Sequence, residues 1–335
     1  MLNPNELFVF EADTGLDELA RHPPVLLHNL AGFVDAGAAG RLAGEHLLGA
    51  LDHHLIARFD VDQLLDYRSR RPAMIFEEDH WAGYDTPVLD LHAVRDNAGT
   101  VFLLLTGIEP DLLWERFAAV VAILIERLDV RLTVGLNAIP MAVPHTRPIG
   151  VTAHATRPGL IAGHLPWVGT VQVPASAASL LELRLGESGH DAMGFAVHVP
   201  HYLAQAEYPD AAEALLEAVV KATGLSLPTA ALRSAAERTR QEIDEQVGRS
   251  QEIAAVVRAL EQQYDAFAGS RARGTLLAVE RDALPPPTRS ARSSSGSWPS
   301  ATTKAPATER AVPRTLGRSC DRGLVRPPGA RPPSV

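Results

Sequence analysis

Residues Val25 to Leu48 read VLLHNLAGFVDAGAAGRLAGEHLL, and this stretch restricts the fold more than any other. Val25, Leu26 and Leu27 open a short apolar run of the kind that forms a buried strand. Gly32, Asp35, Gly37 and Gly40 follow as a small-residue turn. Leu42, Ala43, His46, Leu47 and Ala50 then recur at helical spacing. Strand, glycine-rich loop and helix make the first half of a βαβ unit, which predicts an α/β sheet with its sites at the carboxyl ends of the strands.

The loop invites a nucleotide reading. A Walker loop requires Lys-Ser or Lys-Thr after its last glycine, and Gly37 is followed by Ala38 and Ala39. In the dinucleotide fingerprint Gly37 and Gly40 match the last two glycines, but Asp35 occupies the place of the first. A carboxylate there repels phosphate. The expectation is therefore architectural: Gly37 and Gly40 allow close helix–sheet packing, and Asp35 caps the helix by accepting backbone N–H bonds.

The rest of the chain extends this pattern. Strands are predicted at Leu7 to Phe10, Leu55 to Phe59, Val101 to Leu105, Leu132 to Leu136, Val151 to Ala155, Trp167 to Val173 and Met193 to Val199. Met74 to Phe76 and Val88 to Val94 are expected to pair as a hairpin across the polar turn EEDHWAGYDTP. Helices are predicted at Leu16 to Ala20, Pro110 to Leu128, Ala175 to Gly186 and Ala211 to Thr223, with Asp111 in the first turn of the second and Gly224 stopping the last. Asn137 to Ile149 is expected to be a proline-held loop. The fold class is α/β, a mostly parallel sheet flanked by helices, over residues 1–228.

Residues 230–268 contain no proline and one glycine, Gly248. Leu232, Ala236, Thr239, Ile243, Gln246, Ser250, Ile253, Val257, Leu260, Tyr264 and Phe267 step by fours and threes, a heptad seam with a polar middle. Residues 229–281 are thus expected to form a helical extension, as two helices or one with a soft centre, docked on the same domain or on a neighbouring subunit.

From Asp282 onward nine Arg or Lys stand against three Asp or Glu, so the net charge of −9 conceals +6 in the tail and −15 before it. A body that acidic disfavours nucleic acid and favours basic partners. Residues 282–335 are rich in Pro, Ser and Arg and are expected to be disordered. One allowed back-translation of Arg289 to Trp298, read one nucleotide upstream, encodes the acidic amphipathic string EIGAEFERFL. This predicts a frameshift between about Ala283 and Thr288, which the gene's nucleotide sequence checks.

No apolar run approaches the roughly 20 residues of a membrane span. The start MLNPNELFVFEAD lacks the order of a signal peptide, and the single Cys320 excludes an internal disulfide or a cysteine metal cage. The chain is expected to be cytoplasmic. Its thirteen histidines form no HExxH pair, and there is no Gly-x-Ser-x-Gly elbow. No catalytic residue, metal or cofactor is assigned. The distinctive polar residues are Asn29, Asp35, Glu109 and Arg116 in TGIEPDLLWERF, and His145 and Arg147 in PHTRP. They are candidates for binding a ligand or a partner at one edge of the sheet, or for a carboxylate–arginine network that stiffens loops.

GFVDAGAAG after a strand, then TGIEPDLLWERF, then IPMAVPHTRP, in that order, resemble the bacterial, actinobacterial-type branch of the proteasome assembly chaperone 2 family, from about Leu7 to Phe267. The resemblance implies a domain similar to the purine nucleoside phosphorylase type, or hydrolase-like, with a helical carboxyl-terminal addition. It also implies homo-oligomers, often trimers, and no established catalytic set. Archaeal and eukaryotic relatives hold proteasome subunits during assembly, often by the subunit's carboxyl-terminal tail. The leading expectation is a non-enzymatic interaction or assembly-chaperone-like protein with itself and proteasome-related subunits as partners. The alternative is a small-ligand binder or enzyme, ATP-grasp or carboxylate-amine ligase-like or nucleoside-related, working near Asp35; the missing lysine-bearing phosphate loop argues against ATP-grasp.

Overall fold

The computed structural model describes residues 6–11, 22–32, 35–164 and 169–282. The predicted helix at Leu16 to Ala20 and the tail from 283, with its proposed frameshift, lie outside the described residues.

Among the described residues ten strands form two sheets. Strands β1 (Phe8–Phe10), β2 (Val25–Ala31), β3 (His53–Phe59), β6 (Leu89–Arg95), β7 (Val101–Ile108), β8 (Leu132–Met141), β9 (Val151–Ala155) and β10 (Ala192–Pro200) make one eight-stranded sheet in the order β1-β3-β6-β7-β2-β8-β10-β9. β7, β2, β8 and β10 pair in parallel, whereas β1, β6 and β9 run against their neighbours. Five of the eight strands therefore point one way. The sheet is the expected mostly parallel one, with antiparallel margins.

Successive residues of β2 divide between two cores, as strand alternation requires. Val25 and Leu27 join the face covered by α1 (Ala39–Ala50), α4 (Pro209–Thr223) and α5 (Ala230–Gly248). Leu26 joins the face covered by α2 (Trp114–Arg127) and α3 (Ala177–Glu187). The long α6 (Gln251–Asp282) follows a break at Arg249 and Ser250, so the heptad stretch is two helices. Leu232, Ala236 and Ile243 of α5, and Val257 and Leu260 of α6, are buried, while Ile253 and Phe267 stand exposed. Among the described residues no helix is long and apolar enough to cross a membrane.

Four local expectations are corrected. Met74–Glu77 (β4) pairs not with Val88 to Val94 but with His80–Tyr84 (β5), inside the stretch read as a turn. The chain reverses at Glu78, whose φ is +48°, and Leu89–Arg95 instead enters the main sheet between β3 and β7. The helix expected from Pro110 begins only at Trp114, because Asp111 and Leu112 donate their amides to the Leu64 carbonyl at 2.8 and 3.0 Å. β8 runs on through Asn137–Met141 because β10 pairs with it to Pro200. Of the predicted strand Trp167 to Val173, the described part from Gly169 forms no strand.

Candidate functional site

The parallel strands end together, so the segments after β2, β7, β8 and β10 share the carboxyl edge where α/β folds place ligands. The bend after β2 comes first. Gly37 has φ +67°, a left-handed conformation that glycine adopts freely. The turn brings Asp35 beneath the start of α1. Its Oδ1 accepts from the Gly40 amide at 2.7 Å and its Oδ2 from the Arg41 amide at 3.0 Å. Burial pushes the Asp35 carboxyl pKa up, against these two bonds. Asn29 lies under the same helix, 3 % exposed, and its Oδ1 has no hydrogen-bond partner.

Glu109 follows β7 and is 7 % exposed. Its Oε1 accepts from the Ala177 amide at 2.7 Å, placing a carboxylate on the first turn of α3, where the helix dipole favours negative charge. A Cβ on Gly32 would lie 1.7 Å from Glu109 Oε2, so the chain after β2 passes this carboxylate only as glycine. Arg70 seals the same corner. Its guanidinium donates to the Glu109 carbonyl, to the Ala31 carbonyl at 3.2 Å and to Asp111 Oδ1 at 2.5 Å. Asp111 Oδ2 also accepts from the Asp66 amide at 2.9 Å.

The loop after β8 faces the helical extension. The His145 amide donates to the Tyr202 hydroxyl oxygen at 2.9 Å. Burial pushes the Tyr202 pKa up, and its hydroxyl lies 2.6 Å from His145 Nδ1. Nε2 reaches Asp244 of α5 at 3.3 Å. Arg147 grips Asp265 of α6 through two bonds, 2.9 and 2.8 Å, and Glu261 at 3.2 Å. Asp265 holds the Arg147 pKa above its ordinary value. Thr146 donates to Glu261 at 2.5 Å, and the Tyr264 hydroxyl to the Pro148 carbonyl at 3.1 Å.

The six predicted residues thus form separate groups. Asn29 and Asp35 share the start of α1, and His145 and Arg147 share the clamp on α5 and α6. Glu109 belongs to the corner at α3. Arg116 binds Gln63 at 2.8 Å and approaches Glu6 at 3.7 Å. Arg70, Tyr202, Asp244 and Asp265 escaped the sequence reading. Their partners lie 39 to 118 positions away, and no local spacing marks them. Among the described residues no group of three or more His, Cys, Asp or Glu is placed to hold a metal ion. Chemically, the arrangement joins segments: each carboxylate at the edge already accepts a bond from another element of the same chain.

Comparison with known proteins agrees with this architecture. The model of the PAC2 family matches residues 30–247. A protein of unknown function from Mycobacterium tuberculosis is 53 % identical, superposes with a TM-score of 0.76, and the match covers 78 % of this chain and 92 % of that one. A protein of unknown function from Corynebacterium glutamicum is 41 % identical at a TM-score of 0.74, over 78 % of this chain and 97 % of that one. A proteasome-assembly chaperone homologue from M. tuberculosis is 27 % identical at 0.64, over 70 % and 99 %. No curated protein matches.

Proposed function

The chain belongs to the PAC2 family, and from that premise we propose that it is a non-enzymatic, assembly-chaperone-like interaction protein that self-associates and engages proteasome-related subunits in the cytoplasm. The observation that carries the proposal is the commitment of the edge carboxylates to the fold: Asp35 to the amides of α1 and Glu109 to that of α3. A general base or a phosphate-binding group needs a free face toward substrate, and these carboxylates serve as helix caps. The chaperone homologue from M. tuberculosis supports the class of partner.

Purification of the full chain from native cells tests this. Proteasome subunits should co-purify in stoichiometric amount, and their absence beside abundant self-association contradicts the proposal. A second reading, a small-ligand site, rests on the unsatisfied Asn29 Oδ1 under α1. Thermal melts with nucleotides, nucleosides and amino acids decide it: a rise of several degrees favours the ligand site, and unchanged melts favour the interaction protein.

A further inference from the structure

The amino ends of the central strands frame a cleft at the pole away from the carboxyl edge. Its volume is about 470 Å³, within the range of small-molecule sites. Pro23 and Pro24, just before β2, form one wall, and the turn Ala98–Gly99–Thr100 between β6 and β7 forms another. Arg131, just before β8, and Leu225, just after α4, close it. Pro24, Val25 and Leu225 are buried and make an apolar floor, whereas Ala98, Thr100 and Arg131 stand exposed at the rim.

The walls are preformed. Asp96, 5 % exposed, accepts from the Ala98 and Thr100 amides at 2.9 and 2.7 Å and from the Ser226 amide at 2.8 Å. One carboxylate thus fixes the turn and ties it to the segment after α4. The Arg131 amide donates to the Pro24 carbonyl at 3.0 Å, which joins the start of β8 to the proline wall. Gly99 takes φ +87°, and a Cβ there would meet nothing within 4 Å, so that side of the turn is open. Proline walls and a fixed turn lose little conformational freedom on binding.

Charge selects the ligand. In this acidic body Arg41, Arg58, Arg147, Arg157, Arg184 and Arg233 all meet carboxylates. Arg131 does not. Its guanidinium donates to the Thr223 carbonyl at 3.3 Å at the end of α4, and among the described residues no carboxylate pairs with it. Among the described residues the cleft is lined by no Asp or Glu, and its ionisable side chains are those of Arg131 and His22. An arginine beside an apolar floor, with no acid to neutralise it, recognises a carboxylate through charge-assisted hydrogen bonds. One arginine balances a monoanion, and the proline and leucine surface suits an apolar body better than a bare inorganic ion, which loses its hydration there.

We infer that this cleft binds a small carboxylic acid with an apolar body, its carboxylate on Arg131 and its body against Pro23, Pro24 and Leu225. The inference goes beyond the interaction role proposed above and uses none of the residues at the carboxyl edge.

Ligand-observed NMR titration of the full-length chain tests it. The probes are phenylacetate, hydrocinnamate and octanoate, with the amide of each as the uncharged control and inorganic phosphate as the bare anion. At least one of the three acids should bind saturably. Its amide should bind about tenfold more weakly, and phosphate at equal concentration should not displace it. Arg131→Gln should weaken the acid about tenfold. Ala98→Trp, which fills the cleft from its rim, should abolish binding, and Thr100→Tyr repeats the block from the same turn. Arg238→Gln, at an exposed arginine of α5, should leave the affinity unchanged, and thermal melts verify that each variant folds. Four results would each overturn the inference: no saturable binding by any of the acids, an amide that binds as tightly as its acid, displacement by phosphate, or an affinity that survives Arg131→Gln or the blocked cleft.

Discussion

The carboxyl edge of the sheet and the corner beside it treat their side chains in opposite ways. At the edge, Asp35, Glu109, His145 and Arg147 turn inward and bind amides, a hydroxyl and carboxylates of the same chain. At the corner, Phe76, Trp81 and Val173 stand more than half exposed, and Phe76 and Trp81 pack edge-to-face only on each other. The first arrangement fixes loops and helices; the second leaves apolar side chains in solvent. An α/β scaffold can therefore keep polar groups where enzymes keep theirs and still employ them as fasteners.

If this division is right, substitutions at the edge cost folding stability and substitutions at the corner do not. The largest loss is expected for Glu109→Ala, which strands the Ala177 amide and empties a buried site. Urea melts should show about 3–4 kcal/mol lost, and a loss under about 1 kcal/mol breaks the comparison.

A pH dependence follows from the interior beneath the edge. His28 is buried, and desolvation pushes its pKa down to about 4, against the pull of the Glu182 carboxylate. The unfolded chain binds this proton near its ordinary value of 6.5, the fold only near 4. Stability from His28 is thus fully present above about 6.5 and is lost as pH falls toward about 4, by up to about 3 kcal/mol. His28→Gln should flatten that part of the profile. The half-buried Asp35 carboxyl works in the opposite sense, so the difference between wild type and variant is the quantity to measure.

Asp35→Ala removes a cap shared by two amides and should cost about 1–2 kcal/mol in the same melts. The smallest effect belongs to the corner. Trp81→Glu should leave stability within about 0.5 kcal/mol of wild type. A large destabilisation there would mean that the hairpin fastens the fold as the edge does.

These regions also differed in how readable they were. The strand, bend and helix around Asp35 were legible because every determinant lies within a few residues: an apolar run, small turn residues, then helical spacing. The cap on Gly40 and Arg41 follows from that local order. The weak point between α5 and α6 was legible too, from Gly248 and a polar seam, although these fit one helix with a soft centre as well as two helices. The clamp of Arg147 on Asp265 was not, since its partner lies 118 positions away on a helix whose docking face no local pattern names. The hairpin was misassigned because β5, His80 to Tyr84, is polar at its ends and mostly exposed. It shows no alternation against a core, so EEDHWAGYDTP read as turn. The start of α2 was set too early because Pro110 and Asp111 fit a first helical turn, whereas Arg70 holds Asp111 outside it.

Amide hydrogen exchange, compared between wild type and Trp81→Glu, tests the division of labour most directly. The account predicts that the Gly40, Arg41 and Ala177 amides are protected equally in both, while amides in 170–175, which make no backbone hydrogen bond among the described residues, exchange fast in both. Rapid exchange at Gly40 and Arg41 in wild type, or loss of their protection in Trp81→Glu, would contradict it.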